Sequence, residues 1–274
     1  MTKGWIAALA CVSIAAAPAS AQVLSKPDTA AQRSNPLFIR RDLYIAAAFA
    51  AGAVAMFPVD RSLANHLQDS TVQANRLFSH GATAARILGS PGALALPFAT
   101  YVAGRVLRKP HAADLGLHTL ESVVMAEMVT SGAKAAAGRA RPVQDPDDPF
   151  NYNFGRGLKN DPYRSMPSGH TTAAFAAASA ATSEVGAHWP RHKLLVGTAL
   201  YTTAALVGLS RMYNNQHWAS DVVVGAAIGT FSGWKVVGYT HAHPHNPVDR
   251  ILLGTRVAPA PGGGMTLTWS SLQR

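Results

Sequence analysis

The chain has 274 residues, of which 48% are apolar and 14% charged, with one cysteine and a formal net charge of +10. That length suits one large domain or two small ones, and the apolar, alanine-rich composition excludes a disordered chain. Lysine and arginine are dispersed rather than gathered in a stripe. This disfavours a nucleic-acid-binding surface and suits anionic substrates or an anionic membrane surface.

At the N-terminus, Lys3 precedes an apolar stretch, Trp5 to Ala17, and small residues follow at Ala19-Ser20-Ala21. That pattern predicts a secretory signal peptide over residues 1–21, whose removal takes away Cys11 and leaves a fold held by packing alone. Residues 22–41 read as a flexible mature N-terminus. The charge-free runs Leu43–Val59, Ile87–Gly104 and Leu194–Ser210 each fall short of the ~20 apolar residues of a spanning helix. The expectation is therefore a secreted, periplasmic protein. The alternative is an integral membrane protein with its site facing the periplasm, since short helices do occur in bilayers.

Residues 42–240 predict a helical domain. A first helix spans about 42–57 and stops at Pro58; Arg61 to Phe78 is amphipathic. A helix over 82–107 bends at Ser90-Pro91-Gly92, and a long helix follows over 112–138. Residues 143–166 form the longest loop, which suits a lid or specificity element. Its Asp145, Asp147 and Asp148 lack EF-hand spacing, so no metal is assigned. Further helices run to about Glu184, over 193–209, and from the His217 region to Val237. The tail, 241–274, opens with His241-Ala-His243-Pro-His245, which reads as a solvated linker rather than a metal-binding tract. It closes with Ile251–Val257 and Met265–Trp269 as a short β-hairpin.

Three segments carry chemistry. In Ser210-Arg211-x5-His217-x3-Asp221, a helix starting near His217 puts Asp221 on the same face. That carboxylate can fix one imidazole nitrogen and leave the other free to attack, while Arg211 offers a fork of donors for an oxyanion. The plainer reading is a His-Asp capping pair. In Lys134-x6-Arg141-Pro142, the two cations project from one stripe of the long helix, which Pro142 ends; the plainer reading is a pair facing water. In Pro167-Ser168-Gly169-His170, a helix N-terminus, a hydroxyl and a glycine make an oxyanion cradle with a proton donor at its edge. The plainer reading there is a capped helix start.

With these motifs in this order, the chain resembles the type 2 phosphatidic acid phosphatase / vanadium haloperoxidase superfamily. The resemblance implies an all-α helical bundle of the acid phosphatase / haloperoxidase type, with the site at one end. It implies His217 as a nucleophile forming a phosphohistidine, Asp221 orienting it and His170 protonating the leaving oxygen. Lys134, Arg141 and Arg211 would hold the phosphate oxygens, with Ser168 and Gly169 completing the cradle. Three cations supply the charge that metal ions supply elsewhere, so a phosphomonoesterase needing no metal or cofactor is expected. The alternative is a membrane-embedded lipid phosphate or prenyl diphosphate phosphatase. A vanadium haloperoxidase would hold vanadate on the same residues, with His217 as ligand, but the chain lacks room for the extra helices of that branch.

Overall fold

The computed structural model describes residues 39–244, 246–259 and 265–269. The expected leader, most of the segment 22–41, and His245 lie outside the described residues. The elements in chain order are α1 (Arg40–Leu67), α2 (Ser70–Gln73), α3 (Arg76–Ile87), a π-type turn (Leu88–Gly92), α4 (Ala93–Val106), α5 (Pro110–Ala137), α6 (Gly169–His188), α7 (Lys193–Tyr213), α8 (Ala219–Ala242) and α9 (Pro247–Leu252). Strands β1 (Thr255–Pro259) and β2 (Met265–Trp269) pair antiparallel, with Thr255 opposite Trp269. The fold is thus all-α with a terminal hairpin. That hairpin starts at Thr255 rather than Ile251, because the Asn246 side chain accepts from the Val248 and Asp249 N–H groups and caps α9 there.

Two helix ends differ from the sequence expectation. α1 runs through Pro58 to Leu67. Proline removes one intrahelical hydrogen bond, but the next turn carries the buried Asp60, which accepts from the Ser220 N–H at 2.9 Å and so fixes the continued helix. The amphipathic stretch after it divides into the end of α1, α2 and the start of α3, the last two capped by Asp69 and Asn75. α5 ends at Gly138, not at Pro142. Gly138 has φ +58°, and a Cβ there would fall 1.8 Å from the Asn153 carbonyl oxygen. Only glycine accommodates that left-handed cap, so Arg141 lies beyond the helix and shares no helical stripe with Lys134. The bend at Ser90-Pro91-Gly92 stands where expected, with Ser90 outside helical φ/ψ.

α6 occupies the centre. Its alanines pack against α4 and α5 through Ala93, Val123, Ala126, Ala173 and Ala176, and against α3 and α7 through Ala85, Ala174, Ala178, Ala204 and Val207. Against α8 the approach is closer still. A Cβ on Gly225 or Gly229 would fall 2.6 Å from the Ser168 carbonyl oxygen or 2.3 Å from that of Thr172. One on Gly233 would meet Ser179 Cβ at 2.5 Å. Glycine at every fourth position makes a flat stripe on which another helix rests its backbone, the packing that serves where large side chains face outward.

They do face outward here. Leu43, Val54, Val106, Met128, Leu194 and Leu195 are exposed, Leu194 by 82%. Among the described residues, four helical segments are long and apolar enough to cross a membrane: Arg40–Leu67, Arg76–Val106, Pro190–Tyr213 and Ala219–Ala242, with 28, 31, 24 and 24 residues. Only 11% of the apolar window of the first is buried. The expectation that no segment reaches spanning length is thereby corrected. Charged residues at the helix ends extend each helix past its charge-free run without entering its apolar middle.

Candidate active site

The three motif segments meet at one end of the bundle. Lys134 comes from the last turn of α5, Ser168, Gly169 and His170 from the start of α6, Arg211 from the end of α7, and Asp221 from the first turn of α8. Arg141 lies in the loop after α5 and His217 in the turn before α8. The Ser168 N–H donates to the Asp221 carbonyl oxygen at 3.1 Å, tying the second segment to the third. Lys134 ties the first to the loop by donating to the Arg164 carbonyl oxygen at 2.6 Å.

His217 therefore precedes the helix rather than standing on it. Its Nδ1 lies 3.7 Å from Asp221 Oδ2 and makes no hydrogen bond. Asp221 Oδ2 accepts instead from the Trp218 N–H at 2.9 Å and Ser165 Oγ at 2.5 Å. Burial pushes the His217 imidazole down to about 4, Lys134 and Arg141 adding to the effect against the pull of Asp221. A neutral imidazole at neutral pH is the nucleophilic form. His170 is pushed down to about 3, first by burial and then by Arg211, His217, Arg86 and Lys134.

The cations differ in how they are held. Arg141 donates to Asp161 Oδ1 at 3.0 Å and to Gln216. Arg211 is 6% exposed, and its buried Nε has no hydrogen-bond partner. A buried donor of this kind costs stability unless an acceptor arrives, and an anion supplies one. Ser168 does not cap α6 with its side chain; its hydroxyl accepts from Thr171 Oγ1 at 2.8 Å. A Cβ on Gly169 would meet only Glu127 oxygens at 3.5 Å and Lys134 Cε at 3.6 Å, ordinary contacts. The protein itself thus leaves room for a side chain at this position beside Lys134.

Sequence reasoning missed the residues that hold this arrangement together. Arg139 is fully buried and uses its whole fork. It donates to Asp221 Oδ1 at 2.6 Å, Asp60 Oδ2 at 2.8 Å, Ser220 Oγ at 2.7 Å and the Pro149 carbonyl oxygen at 2.6 Å. Phe57, Tyr152 and Trp218 surround the guanidinium, their ring centres 5.2, 5.3 and 5.5 Å from its carbon. Arg139 lies inside the first motif, but nothing local in the sequence marks it as buried. Asp60 carries no signal at all, since its partners lie 79 and 160 residues away.

Among the described residues, a helical bundle with four membrane-length helices carries at one end a cluster of three cations and two imidazoles. Residues 115–244 match the family described as the PAP2 superfamily, in agreement with the resemblance that the three motifs carry. Over 84 residues it is 46% identical to a lipid A 1-phosphatase of Porphyromonas gingivalis, covering 30% of this chain and 18% of that protein. A lipid A 1-phosphatase of Rhizobium etli is 31% identical over 122 residues, covering 44% of this chain and 47% of that protein. The chain thus spans less than half the length of these curated relatives. A transmembrane PAP2-type phosphatidylglycerolphosphate phosphatase of Bacillus subtilis shares the fold, with a TM-score of 0.57 and 20% identity over 74% of this chain and 97% of that one. The chain is an integral membrane protein.

Proposed function

We propose that the protein is a membrane-embedded phosphatase that hydrolyses a lipid-linked phosphate monoester without a metal, through a phosphohistidine on His217. The carrying observation is the unpartnered Nε of buried Arg211, whose guanidinium acts on His170 together with Lys134 and His217. His217 Nε2 attacks phosphorus as the bond to the leaving oxygen breaks, and that oxygen takes a proton from His170. Water then gives a proton to His170 and attacks phosphorus, the P–N bond breaks, and phosphate leaves. Lys134, Arg141 and Arg211 carry the charge of the equatorial oxygens throughout, with Ser168 and the Gly169 N–H completing the cradle. Burial and the surrounding cations hold His170 neutral. A bound phosphate dianion opposes the surrounding cations and brings His170 back into the protonated form it needs as a donor. A lipid substrate is supported by the membrane-length helices beside the site and by the relatives described as lipid A 1-phosphatases.

The site is assigned to the periplasmic face. α1 and α8 run antiparallel, with Asp60 at Ser220 beside the site and Asp42 paired to Lys235 further along. Arg40 thus begins α1 on the face opposite the site. Arg40 and Arg41, Arg108 and Lys109 between α4 and α5, and Arg191 and Lys193 at the start of α7 support a cytoplasmic placement of that opposite face. A leader cleaved after Ala21 would leave the next residue outside. If α1 crosses once, cleavage there and a periplasmic site exclude each other.

The test is phosphate release by the detergent-solubilised full chain in EDTA, comparing dispersed phosphatidate or lipid A with a soluble aryl phosphate. The expected result is turnover of the lipid, absent in His217→Ala, with a base-stable phosphoprotein trapped during turnover. Equal turnover by His217→Ala would overturn the proposal.

A further inference from the structure

At the other end of the bundle stands a second group of imidazoles and carboxylates that the phosphate chemistry does not use. Along α5, His111, Asp114, His118 and Glu121 recur at offsets of three, four and three residues, one face of the helix. α6 brings Glu184 and His188, one turn apart, α8 brings His241 and α9 brings Asp249. His111 and Lys134 sit 23 positions apart on α5, which at 1.5 Å per residue separates this group from the phosphate pocket by about 35 Å.

The inner half of the group is tied together by hydrogen bonds, although Asp249 Oδ2 within it is buried without a partner. Glu184 Oε1 meets His118 Nδ1 at 2.5 Å and His241 Nε2 at 2.9 Å, and His118 Nε2 meets Asp249 Oδ1 at 3.2 Å. The outer half is not. Glu184 Oε2 and His188 Nε2 are both buried without a hydrogen-bond partner, 3.3 Å apart, and the Glu184 side chain is 0% exposed. The His111 and His188 rings lie with centres 4.1 Å apart. Each of His111, Asp114 and His188 offers one ligand atom within 4.8 Å of the other two.

We infer that His111, Asp114 and His188 form a binding site for a first-row divalent transition ion of the zinc type, with Glu184 Oε2 as the carboxylate behind His188. Two imidazoles and a carboxylate are the donor set that selects such ions over magnesium or calcium. Ligands at about 2.1 Å from a tetrahedral ion lie about 3.4 Å apart, so side-chain rotation is enough to close the three donors. The ion takes the imidazole lone pair of His188 and satisfies the orphaned carboxylate oxygen beside it. His118 and His241, engaged with the other oxygen, hold Glu184 in place as a supporting layer. Bound there, the ion clamps the start of α5 to the end of α6, the two helices whose opposite ends carry Lys134 and His170.

The test uses the full-length, tag-free protein in detergent, stripped with chelator and dialysed against Zn2+ at micromolar concentration. One ion per chain is expected, with a raised melting temperature. His111→Ala and His188→Ala should each weaken binding at least tenfold, and His217→Ala should keep it, so that loss of the phosphatase reading leaves this result standing. Because a variant could fail to fold, X-ray absorption of the zinc-loaded wild type gives an independent reading, with two imidazoles among nitrogen and oxygen ligands expected. No binding by the wild type, binding retained in His111→Ala/His188→Ala, binding lost in His217→Ala, or a ligand shell without imidazole would each overturn the proposal.

Discussion

Arg139 Nη1 donates to Asp221 Oδ1 at 2.6 Å, while Nη2 of the same guanidinium donates to Asp60 Oδ2 at 2.8 Å. One buried cation thus holds two buried carboxylates, one from α1 and one from α8, and fixes the Asp221 that stands behind His217. Removing it leaves two unpaired charges in the interior. Arg139→Leu should destabilise the protein by about 3–5 kcal/mol, the usual cost of breaking a buried pair. Thermal unfolding in detergent should show it, and Arg139→Lys, which keeps the charge but lacks the fork, should fall between the two.

Gly169→Ala should leave folding intact, because an added Cβ makes only ordinary contacts. It should lower phosphate ester turnover by about 10²-fold, since the methyl projects beside Lys134 where an oxygen has to sit. An unchanged melting temperature with reduced kcat/KM is the expected pair of results. Unaltered kinetics would remove Gly169 from the cradle.

The pH dependence follows from the lowered imidazole values. His217 lies down at about 4, so its neutral, nucleophilic form persists as pH falls and is lost only as pH drops through that value. The acid limb of kcat/KM due to the enzyme should therefore lie well below the usual imidazole range. Lys134 lowers the values of both His217 and His170. Lys134→Gln should raise both, and the acid limb should move to higher pH even though kcat also falls. A stationary limb would show that Lys134 does not face the imidazoles.

Membrane topology is testable with thiols, because Cys11 is the one native cysteine. In a Cys11→Ser background, Asp147→Cys in the site loop and Arg191→Cys before α7 should lie on opposite faces. A membrane-impermeant thiol reagent applied to cells with a permeabilised outer envelope should label the first and spare the second. Reversed labelling would place the site in the cytoplasm and restore compatibility with cleavage after Ala21.

Much of the helical layout was legible in the sequence because helix punctuation is local. Ser90-Pro91-Gly92 marks the bend, and Pro110 stands at the first position of α5. Pro58 and Pro142 misled for one reason: a proline breaks a helix only if nothing else fixes its course. Asp60 carries α1 onward, whereas Gly138 ends α5 before Pro142 is reached. Membrane embedding was misjudged by counting charge-free residues, when the helices carry their charges at the ends. The metal-type group was legible in part, since His111, Asp114, His118 and Glu121 repeat at helical spacing. Glu184, His188, His241 and Asp249 come from three other helices, and His241 had read as linker.

The sequence by itself determined which residue types meet at the candidate site: three motifs supply the imidazoles, the cations and the glycine at the start of α6, because each motif is a short segment whose residue types and spacing are local properties. Only the tertiary structure decided which charges are buried and who answers them. Arg139 with Asp60 and Asp221, the unpartnered Nε of Arg211, and the His111–Asp114–His188 group all depend on contacts between distant segments. Burial belongs to packed helices, not to a stretch of chain, and burial turns an ordinary arginine or histidine into a structural pivot or a ligand.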